Sequence, residues 1–116
     1  MTTVIETLFD AWGDPTEEGR AAKTDAALGT TIFYADPNTP EPITDRDGYL
    51  AYIAQFGQMM AGATATVVNS SETAGHLRAT VAFGSGTVMM HGQYFAELTD
   101  GRVTRLIGFA GLGEPE

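Results

Sequence analysis

Among the residues able to move a proton, Asp36 is set apart by its neighbours. It follows an apolar, β-favouring run (Ile32, Phe33, Tyr34), and Pro37 stops the strand at once because proline cannot donate to a ladder. Period-two alternation puts Ile32, Tyr34 and Asp36 on one face and Phe33 and Ala35 on the other. An acid that shares a face with a large apolar residue and a phenol is placed to act as a base instead of a solvated charge. The plainer role for the same residue is a strand-end or turn-capping carboxylate, which an aspartate before proline also satisfies.

Proton transfer next to a carbonyl also needs a donor for the enolate oxygen and a dry pocket. Tyr94 is the first candidate donor, with Tyr34 and Trp12 behind it; as a plain core phenol Tyr94 would need only a satisfied hydroxyl. Tyr52, Phe56, Met59, Met60, Val81 and Phe109 are expected to supply the ligand-binding walls together with Trp12 and Tyr34. His91 alternates with Gly92 and Tyr94 and reads as an outer-face or interface residue, and His76 begins a strand beside a turn. Without paired acids at ligand spacing, these two histidines do not make a metal site, and no cofactor is expected. Gly84-Ser85-Gly86 reads as a hairpin turn and not a nucleophile elbow, since no helix follows it.

The elements that must hold these residues follow from periodicity. Thr3 and Glu6 have capping-box spacing, and Val4, Ile5, Leu8, Phe9 and Trp12 recur as on an amphipathic helix that ends near Gly13. A second helix is expected with Asp14 as its cap, Pro15 in its first turn and Gly29 as its stop. Pro37 to Ile43 holds three prolines and should be a stiff surface loop, a candidate rim or lid. Thr44 with Asp47 then opens a third helix through Tyr49, Tyr52, Ile53, Phe56 and Met60, ended by Gly62. From Ala63 the period becomes two, giving strands near 64–72, 76–83, 87–98 and 102–110 joined at Ala74-Gly75, Gly84-Ser85-Gly86 and Asp100-Gly101. Leu77, Ala79, Val81 and Phe83 share one face of the second of these strands, so the sheet has an apolar inner side and a wetter outer side. The fold class is therefore α+β, with N-terminal helices packed on a strongly curved, mainly antiparallel sheet. Several of the 14 glycines fall inside strands, where they mark bends.

The 116 residues are expected to form one domain, 1–116. Six Lys and Arg against 15 Asp and Glu give a formal charge of −9, which repels phosphate backbones and excludes nucleic acid as the expected partner. With no cysteine there is no thiolate nucleophile or disulfide. No segment approaches the ~20 apolar residues of a membrane span, so a cytoplasmic location with no membrane contact is expected.

Helices first, a short strand ending in Asp-Pro, a third helix and then a curved meander resemble the nuclear transport factor 2-like cone fold, in particular its SnoaL-like and ketosteroid isomerase-like branch. The resemblance runs from Leu8 to Phe109 and rests on Tyr34-Ala35-Asp36-Pro37, on Gly92-Gln93-Tyr94-Phe95-Ala96-Glu97-Leu98, on Asp100-Gly101-Arg102-Val103 and on Gly108-Phe109. In ketosteroid isomerases the aspartate of the strand-ending Asp-Pro is the general base, and a tyrosine of the first helix and a protonated aspartate of the penultimate strand hold the oxyanion. The resemblance gives Asp36 the role of base. At the donors this sequence departs, with Trp12 near the place of the tyrosine and Tyr94 at that of the aspartate.

Together these readings lead to a cone that takes a small hydrophobic carbonyl compound and moves a proton with Asp36 and Tyr94, as an isomerase or cyclase would. The alternative is a non-catalytic ligand-binding or dimerisation domain of the same fold. Met89, His91 and Phe95 on the outer sheet face fit a homodimer formed through that face, as is common in the resembled family.

Overall fold

The computed structural model describes residues 3–112. Helix α1 (Val4–Asp10) starts from the expected capping box: Glu6 N–H donates to the Thr3 hydroxyl, and the Glu6 carboxylate accepts from Thr3 N–H. A single 3₁₀ turn, Ala11–Gly13, carries Trp12 inward. Helix α2 (Glu17–Ala27) is capped by Thr16 and not by Asp14, because Asp14 instead accepts the backbone and hydroxyl protons of Thr16 and orients that cap. It stops two residues short of Gly29, where β1 (Leu28–Ala35) has already begun. Gly29 lies inside β1, where a β-carbon would come within 2.7 Å of the Thr104 methyl. Helix α3 (Arg46–Met59) is capped by Asp45, which accepts from Gly48 N–H at 2.6 Å, one residue later than the expected Thr44.

Four strands follow: β2 (Thr64–Thr73), β3 (His76–Ser85), β4 (Thr87–Thr99) and β5 (Arg102–Ala110). Their ends lie within two residues of the boundaries read from periodicity. The β2–β3 and β4–β5 turns place Ala74 and Gly75, and Asp100 and Gly101, at positive φ, the left-handed pair that a two-residue hairpin with right-handed strand twist requires. The sheet order is β1-β5-β4-β3-β2, antiparallel except for β1 against β5. Register shifts interrupt all four pairings, after Leu28, Val67, Phe83 and Glu97, and such bulges bend a sheet.

The helices fill the concave side of that bend. Ile5, Leu8, Phe9, Tyr34, Tyr49, Ile53, Val81, Val103 and Leu106 are wholly buried there. Arg46 pairs with Asp25 through two nitrogens, and Arg102 donates to the Asp25 and Leu28 carbonyls, so the end of α2, the start of α3 and the last hairpin are tied at one corner. Among the described residues no helix is long and apolar enough to cross a membrane.

Candidate functional site

β1 delivers Asp36 to the open end of the concave side, and the following turn fixes its carboxylate. Asp36 Oδ1 accepts the Asn38 N–H at 2.7 Å, while the Thr39 hydroxyl donates to the Asp36 carbonyl and accepts its N–H. The proline-rich loop then doubles back, pairing Ile43 with Tyr34 in a two-bond bridge, so the segment beyond Asp36 is braced against its own strand. The carboxylate's other oxygen faces inward. Asp36 Oδ2 accepts a proton from the Tyr34 hydroxyl and another from the Tyr52 hydroxyl, the latter at 2.6 Å.

The phenols around this carboxylate differ in setting. Tyr34 is wholly buried, Tyr94 is 5% exposed and Tyr52, on α3, is half-buried. Burial pushes the pKa of each upward, and the Asp36 charge adds to this for all three. All three remain protonated donors at neutral pH. A fourth phenol, Tyr49, accepts the Trp12 indole N–H at 2.9 Å in the core, and its pKa is also raised by burial.

A cavity of about 370 Å³ opens beside Asp36, a size ordinary for a small-molecule site. Trp12, Phe56, Phe83 and Tyr94 form its apolar depth, Met59, Met60 and Met90 its flank, and Asp36, Asn38, Tyr52 and Gln55 its polar edge. The depth is a packed aromatic group: Trp12 lies 5.4 Å from Phe56 and 5.8 Å from Phe83, ring centre to ring centre. No side chain on this lining carries a positive charge.

Of the residues proposed from sequence, Asp36, Tyr94, Trp12, Tyr52, Phe56, Met59 and Met60 meet at this cavity. Three do not line it. Tyr34 sits behind Asp36 and reaches the cavity only through that carboxylate; Val81 is wholly buried in the core below. Phe109 is on the opposite face of the sheet, 55% exposed, because it pairs with outward-facing Gln93 while its neighbour Gly108 pairs with inward-facing Tyr94. It packs edge-on against Phe95 at 5.7 Å. The sequence reading missed Phe83, Met90, Asn38 and Gln55. Phe83 shares the strand face of Val81, and Met90 that of Gly92 and Tyr94, so parity alone identifies both; Gln55, three residues after Tyr52, follows from helical spacing. Nothing local marks Asn38, which enters the lining because the turn after Pro37 folds inward.

His91, opposite Ala82 on β3, is half-buried, and His76 is exposed with its Nδ1 3.1 Å from the Ala74 carbonyl oxygen. Among the described residues no three His, Cys, Asp or Glu side chains gather closely enough to hold a metal ion.

No protein-family model matches the sequence, and no curated protein sequence matches it. Solved structures do. A candidate isomerase of the SnoaL-like family from Agrobacterium tumefaciens superposes with a TM-score of 0.84 at 18% identity, over 94% of this chain and 95% of the other. The fold is that of SnoaL-like and ketosteroid isomerase-like proteins. A candidate ketosteroid isomerase from Kribbella flavida matches at a TM-score of 0.67 and 25% identity, over 97% of this chain and 78% of its own. A SnoaL-like candidate polyketide cyclase from Jannaschia gives 0.74 at 14% identity, over 92% and 81%. These three structures are thus described as of isomerase or cyclase type, and at such identities the likeness to this chain concerns architecture.

Proposed function

We propose that this SnoaL-like cone binds a small hydrophobic carbonyl compound and transfers a proton between carbons next to the carbonyl, as an isomerase or a cyclase would. One observation carries the reading: Asp36, a carboxylate immobilised by three donated protons, stands at the polar edge of an otherwise aromatic and methionine-lined cavity. Its two oxygens offer about four lone-pair directions, so one remains for a carbon acid. The carboxylate takes the α-proton, and the electron pair left on carbon moves onto the carbonyl oxygen. The resulting carboxylic acid returns the proton to the same or a conjugated carbon; in a cyclase the enolate carbon instead attacks a second carbonyl, whose π pair becomes an alkoxide that takes the proton back from Asp36. A neighbouring phenol, with Tyr94 as the candidate read from sequence, stabilises the oxygen while it is negative.

The same three hydrogen bonds favour a second reading, in which Asp36 is a structural acceptor and the domain binds its ligand without chemistry. A generic enolisable ketone separates the two. With 2-tetralone in D2O, the wild type should speed α-deuteration over buffer, followed by proton NMR, and Asp36→Asn should remove that acceleration while leaving ketone binding in place. Binding with no deuteration in the wild type would establish the second reading.

The same fold also fits a homodimer through the outer sheet face. Phe95 and Phe109 are 47% and 55% exposed there and pack on each other, a solvent-facing apolar surface that a second copy would cover.

A further inference from the structure

We propose that Tyr52 is the donor to the ligand's carbonyl oxygen, and that in turning to the ligand it releases Asp36, so that filling the cavity switches the base on. The inference rests on the proton-transfer reading above and adds to it the identity of the donor and the order of events.

Elimination among the possible donors leads there. The Trp12 N–H is committed to Tyr49 in the core, 2.9 Å away. Tyr34 donates to Asp36 from a wholly buried position with no face on the cavity. Tyr94 has a cavity face, but its ring is clamped: a β-carbon on Gly92 would come within 2.9 Å of it, and one on Gly108 within 2.6 Å. That fit holds the ring in place, and its hydroxyl, unlike that of Tyr52, is not bonded to Asp36. Asn38 and Gln55 are exposed at the rim.

Tyr52 differs from all of these. It lines the cavity, it is half-buried, and it projects from α3 while its partner Asp36 is held by β1 and the turn that follows. A phenol has one proton to give, so a bond from Tyr52 to a carbonyl oxygen must be taken from Asp36 Oδ2. A carboxylate that loses a donor becomes a stronger base. Tyr34 keeps its own bond and holds the carboxylate in line. The α-proton then passes to Asp36 as the carbonyl oxygen gains negative charge against the Tyr52 hydroxyl. No oxidant or co-reactant enters.

The test uses 2-tetralone labelled with ¹³C at its carbonyl, saturating the wild type, Tyr52→Phe, Tyr94→Phe and Tyr34→Phe, with the carbonyl stretch read by difference infrared spectroscopy. The band of the bound ketone should lie at lower frequency than in an aprotic solvent for the wild type, Tyr94→Phe and Tyr34→Phe, and should lose that shift in Tyr52→Phe alone. Deuteration at saturation should fall about 10²- to 10³-fold in Tyr52→Phe, the usual effect of removing one oxyanion donor. A shift that survives in Tyr52→Phe, or that is lost in Tyr94→Phe instead, overturns the assignment and leaves the proton-transfer reading intact. Absence of ketone binding or of deuteration in the wild type overturns the reading and this inference with it. Should Tyr52→Phe not fold, a wild-type crystal soaked with the ketone decides the same question: the assignment stands if the Tyr52 oxygen lies within hydrogen-bonding distance of the ketone oxygen, and falls if it remains on Asp36.

Discussion

Gly108 on β5 faces Tyr94 on β4 so closely that a β-carbon at position 108 would lie 2.6 Å from the Tyr94 ring and 3.1 Å from Asp36 Cβ. The smallest residue thus makes room for the floor of the cavity and for the base at once. Gly108→Ala should push both aside, at a cost of about 1–3 kcal/mol, the range for overpacking a core. Urea unfolding measures the loss. Deuteration of 2-tetralone should fall as well, and an unchanged midpoint with unchanged activity would show that the ring has space to move.

Tyr49→Phe isolates the core hydrogen bond from the site chemistry. It keeps the ring but leaves the Trp12 N–H, on a residue only 4% exposed, without its acceptor. An unsatisfied buried donor costs about 1–3 kcal/mol. Denaturant unfolding should show that loss, and the ketone's infrared band should not move, because Tyr49 does not line the cavity.

Tyr34→Phe removes the buried donor behind Asp36. A hydrogen bond to a charged group contributes about 1.5–3 kcal/mol, so the urea midpoint should fall at neutral pH by an amount in that range. The variant should still bind the ketone, since Tyr34 has no cavity face.

Asp14 gives the chain a stability that depends on acid. The Lys23 ammonium at 2.9 Å and the Thr16 amide and hydroxyl hold its carboxyl at about 2, below the ordinary 3.8. A carboxyl whose folded pKa is depressed adds stability above its unfolded value and loses it as pH falls through the folded one. The difference in urea midpoint between the wild type and Asp14→Asn should therefore be full at pH 5, shrink between pH 4 and 2, and vanish below that. A constant difference across this range would mean that the charge plays no part.

The outer-face proposal predicts an assembly. Light scattering behind size exclusion should give the mass of two chains for the wild type and of one for Phe95→Arg, which places a charge in the middle of the exposed aromatic pair. A wild-type monomer at micromolar concentration would remove the dimer.

Periodicity and punctuation are local properties of a chain, and what depends on them was legible from the sequence. The capping box at Thr3 and Glu6, the four strands of the meander, the two primed turns and the inward parity of Tyr94 all follow from neighbours a few residues apart. So does the position of Asp36 at the end of its strand. The caps of α2 and α3 lie one or two residues beyond those expected, because Asp14 accepts from Thr16 while Thr16 and Asp45 take the amides of Gly19 and Gly48, a choice made only in the folded turn.

The cavity is a different kind of object. Asp36, Tyr52 and Tyr94 come from three elements separated by 16 and 42 residues, and no short-range pattern says that a phenol of α3 will reach a carboxylate of β1. The bend of the sheet, set by four register shifts, determines which apolar residues line space and which fill it: Val81 is sealed into the core while Phe83, two residues on, faces the cavity. Phe109 went to the outer face by the register of β5 against β4, a long-range pairing in which a single-residue slip exchanges inside for outside. Sequence alone determined the carboxylate and its strand; tertiary packing decided which phenols hold it, because hydrogen bonds between distant elements exist only once the curved sheet has brought them together.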